Sequence, residues 1–198
     1  WHLLDSGALY RLVAHGAAAA GVAAEDIAGH ASYARTMDVV FGATGSGEER
    51  ILLGGLDVTR AIRTEEAGAA ASRVAAWSPV RDALVERQRA FAVPPGLVAD
   101  GRDMGSVIFP DAGLKVFLTA SAEERAARRH KQLMEKGINA NLAALSLEIA
   151  ERDRRDATRA VAPLAATPDA ITIDSTHLPP DVVVAQVLSL ARARFAVG

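Results

Sequence analysis

Cysteine is absent from the 198 residues, which excludes disulfides, thiolate metal sites and a cysteine nucleophile, and fits a reducing compartment. Lysine is scarce, confined to Lys115, Lys131 and Lys136. The remaining positive charge sits on arginine, whose planar fork suits a bidentate grip on phosphate or carboxylate. A base composition rich in G and C would raise arginine too, so the clusters matter more than the total. No apolar run approaches the ~20 residues that span a bilayer. The opening WHLLDSG has no initiator Met, basic leader or cleavage pattern. The expectation is a cytoplasmic protein with no membrane contact. A formal net charge of −2 speaks against a general nucleic-acid surface. The chain has no GxSxG elbow for a serine hydrolase, and its histidines at 2, 15, 30, 130 and 177 lack metal-ligand spacing, so no residue is assigned to a metal.

What is present reads as α/β. A strand remnant at Trp1–Leu4 runs into an Ala-rich helix ending near Ala20, where Gly21 stops it. A helix over 24–35 precedes two strands, 38–42 and 50–53, joined through the turn-forming Thr44-Gly45-Ser46-Gly47. Helices follow over 64–74 and from Ser78-Pro79 to Phe91, the latter opened by a cap signal. Strands at 97–99, 114–118 and 171–173 then alternate with helices. Ser121 with Glu124 forms a capping box, Asn139 to Asn141 caps a helix to about Arg155, and Pro179-Pro180-Asp181 starts a final helix to Phe195. The economical architecture is parallel strands with crossover helices. Residues 1–37 and 91–198 form its core, and 38–90 form an inserted α+β subdomain.

Three charged constellations stand out. The run LVADGRDMGSVIFP places Arg102 and two carboxylates at the end of an apolar segment read as a buried strand, the edge where ligands bind in open α/β sheets. An internal network of Arg102, Asp103 and Asp100 is the alternative. Asp5-Ser6-Gly7 with Tyr10 and Arg11 sits at a strand-to-helix junction whose free N–H groups favour an anion, or is a plain helix cap with Tyr10 in the core. In ERDRRDATR, Arg152, Asp156 and Arg159 fall on one helical face, a pattern that a solvated, ion-paired helix shares. Arg125, Arg128 and Arg129 pose the same choice. Trp1 and Trp77 read as packing residues.

With DSGALYR, DVTRAIRTEEA, SPVRDALVERQRAF, ADGRDMGSVIFPDA, SAEERAARR and ERDRRDATRAVAPL in this order, the chain resembles bacterial cytidylate kinases, the (d)CMP kinases of the nucleoside monophosphate kinase group. The resemblance runs over essentially all 198 residues. It implies a P-loop kinase core with a CMP-binding insert and a lid near 125–159, working as a monomer that moves the γ-phosphoryl of ATP, with Mg²⁺, to CMP or dCMP. By position it implies that Ser72, Arg81 and Asp103 read cytosine, that Arg11 and Arg102 hold the acceptor phosphate, and that Ser6 and Tyr10 line the acceptor site. Asp156 faces sugar and phosphates between Arg152 and Arg159. The catalytic arginines are then Arg102, Arg129, Arg152 and Arg159, with Arg125 toward ATP.

The chemistry of cytosine agrees with that placement: a carboxylate accepts from the exocyclic amino group while a guanidinium and a hydroxyl donate to the ring acceptors. Uracil would face the carboxylate with a carbonyl, a mismatch of roughly 1–3 kcal/mol in a buried site. The departure is the phosphate loop, because no lysine here follows a glycine and GxxxxGK[ST] is absent. On the family pattern the first strand, the loop and most of its helix are missing, which should expose ladder edges inside the sheet. Three readings stay open: an incomplete copy of a kinase, a fragment that binds CMP without turnover, and a noncatalytic interaction domain on the same scaffold.

Overall fold

The computed structural model of the chain describes residues 1–43, 45, 49–135, 137, 139–158 and 164–195. Contacts divide it into two units, Trp1–Met104 and Gly105–Gly198. Among the described residues no helix is long and apolar enough to cross a membrane.

In the first unit, β1 (His2–Asp5) pairs in parallel with β5 (Leu97–Asp100), with Asp5 opposite Asp100 at the carboxyl end. The chain leaves β1 directly into α1 (Ser6–Ala19). Its Ala8, Leu9, Leu12, Val13 and Ala17 are fully buried, and each such leucine contributes ~1.5–3 kcal/mol. Gly21, at φ 78°, turns the chain out of the helix. The next helix, α2 (Ile27–Thr36), begins three residues later than the pattern suggested. Asp26 sets that start, because its carboxylate accepts from the Gly29 amide at 2.8 Å.

The expected hairpin is a three-stranded antiparallel sheet: β2 (Val39–Ala43), β3 (Glu49–Leu53) and β4 (Leu56–Asp57). The Thr44 to Gly47 turn lies largely outside the described residues. Gly54 and Gly55, at φ 55° and 79°, supply the two-residue turn that adds β4. A 3₁₀ turn (Ala61–Arg63) leads into α3 (Glu65–Val74), whose N-cap Thr64 accepts from the Ala67 amide. α4 (Ser78–Arg89) starts with Ser78 as its first residue, so the N-cap is Trp77 and makes no side-chain cap bond. Trp77 packs edge-on against His30, centroids 5.2 Å apart, as a packing residue would. α1 packs on α2 and α3, and α2 on α4.

The strand at Leu97–Asp100 is not buried as expected. Val98 is 53 % exposed and Leu3 beside it 67 %. The physical reason is that, among the described residues, β5 has β1 as its one ladder partner and the two strands form a sheet of their own, whose Leu3 and Val98 side chains lie exposed.

In the second unit a π-helical turn (Met104–Ile108, entering from the first unit) precedes β6 (Val116–Thr119), which pairs in parallel with β7 (Ile171–Asp174). Helices α5 (Ala122–Glu135) and α6 (Leu142–Thr158) pack on each other. Ser121 caps α5 through the Glu124 amide at 3.2 Å. The capping box is half-formed, because Glu124 pairs with Arg128 and the Ser121 amide donates to Thr176 Oγ1. Asn141 caps α6 through the Ala144 amide. α7 (Pro180–Phe195) buries no residue fully.

Candidate functional site

The first unit gathers most of the sequence candidates around the start of α1. Asp5 closes β1 and caps α1, accepting from the Ala8 amide at 2.9 Å through Oδ1. This is the plain-cap alternative, realised for Asp5. Ser6 is buried, and its hydroxyl donates to Gln88 Oε1 on α4 at 2.7 Å. Gly101 lies against it: a Cβ there would stand 2.9 Å from Ser6 Cβ, so the loop after β5 requires glycine to approach α1.

One turn on, Tyr10 and Arg11 point to different partners. The Tyr10 ring is buried and carries the Arg81 guanidinium 5.9 Å from its centroid. Arg11 reaches α3, where a Cβ on Gly68 would meet its Nη2 at 3.1 Å, and its Nη1 donates to the carbonyls of Ile62 at 2.8 Å and Thr64 at 3.1 Å. Ser72 stands four residues after Gly68, on the same face of α3. Its hydroxyl is buried and has no hydrogen-bond partner.

Arg81 and Asp103 form the most buried charged pair among the described residues, at 5 % and 3 % exposure. Arg81 Nη2 donates to Asp103 Oδ2, and Nη1 to the Ala75 carbonyl at 3.2 Å. Two charges withdrawn from water persist only when paired and hydrogen-bonded. The pair places a buried carboxylate acceptor beside a buried guanidinium donor. Arg102, next in sequence to Asp103, is exposed at the end of β5.

In the second unit Arg125 on α5 makes a two-pronged ion pair with Asp153 on α6, and Nη1 to Oδ1 is 2.7 Å. The hydrogen bonds that the Arg125 guanidinium donates to Asp153 hold it above its ordinary pKa against the opposing effect of burial. Arg129 is half-buried on α5. On α6, Asp156 is buried, and Arg152 Nε lies 3.9 Å from its Oδ2. Arg159 lies outside the described residues.

A family model described as cytidylate kinase matches residues 1–193. The cytidylate kinase of Azotobacter vinelandii (strain DJ / ATCC BAA-1303) is 55% identical over 199 residues, spanning 100% of this chain and 87% of that relative. Its counterpart from Methylococcus capsulatus (strain ATCC 33009 / NCIMB 11132 / Bath) is 53% identical over 98% of this chain and 86% of the relative. That of Pseudomonas aeruginosa (strain UCBPP-PA14) is 56% identical over 95% and 82%. The chain belongs to the cytidylate kinase family.

For this cytidylate kinase chain, the residues singled out in DSGALYR, SPVRDALVERQRAF and ADGRD meet in one unit: Ser6, Tyr10, Arg11, Arg81 and Asp103 are linked through direct contacts and α1. Asp103, for which Arg102 is the partner in the internal alternative, is bonded to the buried Arg81 on α4. Sequence reasoning missed Gln88, fully buried in RQRAF and hydrogen-bonded to Ser6. It also missed Asp153, whose partner Arg125 is 28 residues away along the chain, and Arg63, whose partners Asp5 and Glu49 are 58 and 14 residues away. A lone glutamine or arginine in a helix-forming stretch carries no local mark of such a partner.

Proposed function

We propose that this chain transfers the γ-phosphoryl of ATP to CMP or dCMP, yielding ADP with CDP or dCDP, as a cytoplasmic monomer. The observation that carries the reading is the buried Arg81–Asp103 pair, with a partnerless buried hydroxyl at Ser72. In this reading Asp103 accepts from the cytosine amino group, and Arg81 and Ser72 donate to the ring acceptors. The insert of residues 38–90 supplies Ser72 and Arg81. Tyr10 backs the guanidinium that makes those contacts, and Ser6 lines the site with its hydroxyl already held by Gln88. Arg11 and Arg102 take the acceptor phosphate, Asp156 faces the sugar, and Arg152 and Arg159 face the phosphates.

Phosphoryl transfer needs alignment and charge neutralisation more than covalent help. An acceptor phosphate oxygen attacks the γ-phosphorus in line, and the bond to the β–γ bridging oxygen breaks with its electrons leaving on ADP. Arg102, Arg129, Arg152 and Arg159 would neutralise the charge that develops, and Arg125 would face ATP once it exchanges Asp153 for the nucleotide. Mg²⁺ in such reactions rides largely on donor phosphates. When bound with ATP, Mg²⁺ would supply neutralisation of negative charge on the nucleotide phosphates.

A second reading, binding of CMP without turnover, concerns the 198 residues as they stand, in which GxxxxGK[ST] does not occur. One experiment separates them. Calorimetric titration with CMP, dCMP and UMP measures recognition, and a coupled ADP-release assay with ATP and Mg²⁺ measures transfer. Selective CMP binding with ADP release is the expected result. Selective binding without release moves the reading to the second, and equal or no binding of CMP and UMP overturns both.

A further inference from the structure

The motif DVTRAIRTEEA contains an arginine that the reading above leaves without a role. Arg63 ends the 3₁₀ turn before α3. Its Nη1 donates to Asp5 Oδ2 at 2.7 Å, and its Nη2 donates to Glu49 Oε1 at 2.7 Å and Oε2 at 2.8 Å. Asp5 is the α1 cap, and Glu49 is the first residue of β3. One guanidinium therefore ties the β1–α1 junction, the antiparallel sheet and the entry to α3. From the opposite side, Arg11 of α1 donates to the carbonyls of Ile62 and Thr64, the residues that flank Arg63. The turn is clasped in both directions.

An exposed ion pair between two flexible side chains contributes little. This one differs in geometry, because three hydrogen bonds fix the plane of a single fork, something a lysine ammonium cannot reproduce. The clasp reaches elements that carry groups proposed for the acceptor: Asp5 caps α1, which carries Ser6, Tyr10 and Arg11, and the clasped turn itself feeds α3, which carries Ser72. Arg81 is held separately, by Asp103 and the Ala75 carbonyl.

We infer that Arg63 is a positioning residue for the acceptor nucleotide: by clasping the turn at 61–64 to Asp5 and Glu49 it sets where Arg11 meets the phosphate. The inference rests on the acceptor-site reading proposed above. It predicts an effect on phosphate-bearing ligands that bypasses base recognition.

The test titrates the full chain and its Arg63→Ala, Arg63→Lys and Glu49→Gln variants with CMP and with cytidine, and follows hydrogen–deuterium exchange of the ligand-free proteins. Arg63→Ala is expected to weaken CMP about tenfold while cytidine changes less than twofold. Arg63→Lys should recover only part of the loss, and Glu49→Gln, which removes one arm of the clasp, should cost CMP roughly threefold. Exchange should quicken at 61–68 and over the first turn of α1. Unchanged CMP affinity in a folded Arg63→Ala, full recovery in Arg63→Lys, or equal losses for CMP and cytidine overturns the inference. Should Arg63→Ala not fold, Glu49→Gln decides, and wild-type CMP affinity there overturns it. Parent protein that binds no CMP instead overturns the acceptor reading, and the exchange pattern then decides whether the clasp exists.

Discussion

Replacing Asp103 by asparagine separates a structural ion pair from a base-reading one. Asp103 and Arg81 are both almost wholly buried and bonded to each other. Truncation to alanine would strand a buried guanidinium at a cost of about 3–5 kcal/mol, a large part of the 5–15 kcal/mol that typically holds a domain together. Asparagine keeps the volume and one acceptor oxygen. It exchanges a charge-assisted bond of about 1.5–3 kcal/mol for a neutral one of about 0.5–1.5 kcal/mol, a net destabilisation of ~1–2 kcal/mol. It also puts an N–H₂ where the cytosine amino group would meet an acceptor, and that donor suits the uracil carbonyl instead. A selectivity change of about 1–3 kcal/mol follows, or roughly fivefold to 150-fold in the ratio of CMP to UMP affinity. The assay is urea denaturation for the first quantity and calorimetric titration with both nucleotides, under conditions where the variant is folded, for the second. Loss of stability with an unchanged CMP/UMP ratio would refute the base-reading argument and leave a purely structural pair.

Ser72→Ala should leave stability unchanged or raise it by up to ~1 kcal/mol, since a buried hydroxyl without a partner carries a desolvation penalty; CMP affinity should fall severalfold, by titration and melting of the same sample. Gly16→Ala should destabilise by about 1–3 kcal/mol, because the new Cβ would stand 2.1 Å from the Tyr33 hydroxyl and that clash exceeds the ~0.5–1 kcal/mol helix gain; a raised melting temperature would refute it. Asp174 titrates below its ordinary value because the Thr176 hydroxyl and amide bond its carboxylate. Its folded-state pKa is depressed, so its stabilisation is present above the unfolded value of about 4 and lost as pH falls through the folded one. The melting gap between the parent and Asp174→Asn should thus be widest near neutrality and close in acid.

The α/β alternation was legible because each helix and strand carries its own period and punctuation. Asp5, Thr64, Ser121 and Asn141 are caps whose bonds lie within three residues. Errors came where a competing local group won. Asp26 began α2 later than its apolar pattern, and Gly54-Gly55 folded back a strand too short to show a period. The exposure of Val98 was illegible for a different reason: an apolar run states what a strand would bury, and only its neighbours decide whether burial happens. Site residues followed the same division. Arg81 and Asp103 stand out by type, yet their union spans 22 residues and no spacing rule reaches that far. Arg63 hid for the converse reason, since an arginine just before a helix reads as solvated until Asp5 and Glu49 arrive from elsewhere in the chain.

The pairing of Arg81 with Asp103 also bears on how the base-reading groups proposed above can be held stably and still discriminate. A carboxylate or a guanidinium buried alone in that site would carry an uncompensated desolvation cost. Paired, each satisfies the other, and a guanidinium and a carboxylate keep further donor and acceptor positions beyond the one bond that joins them. A nucleobase that brings an amino group and ring acceptors adds bonds without breaking the pair. One that brings a carbonyl opposite Asp103 sets acceptor against acceptor, and no rotation of Arg81 relieves it while Nη1 is engaged by the Ala75 carbonyl and the Tyr10 ring lies across its face. Selectivity on this account comes from the rigidity of the guanidinium's other contacts. Tyr10→Leu, which keeps Arg81 and Asp103 but removes the ring, should therefore lower the CMP/UMP ratio, and an unaltered ratio in a folded Tyr10→Leu variant would return the origin of selectivity to Asp103 alone.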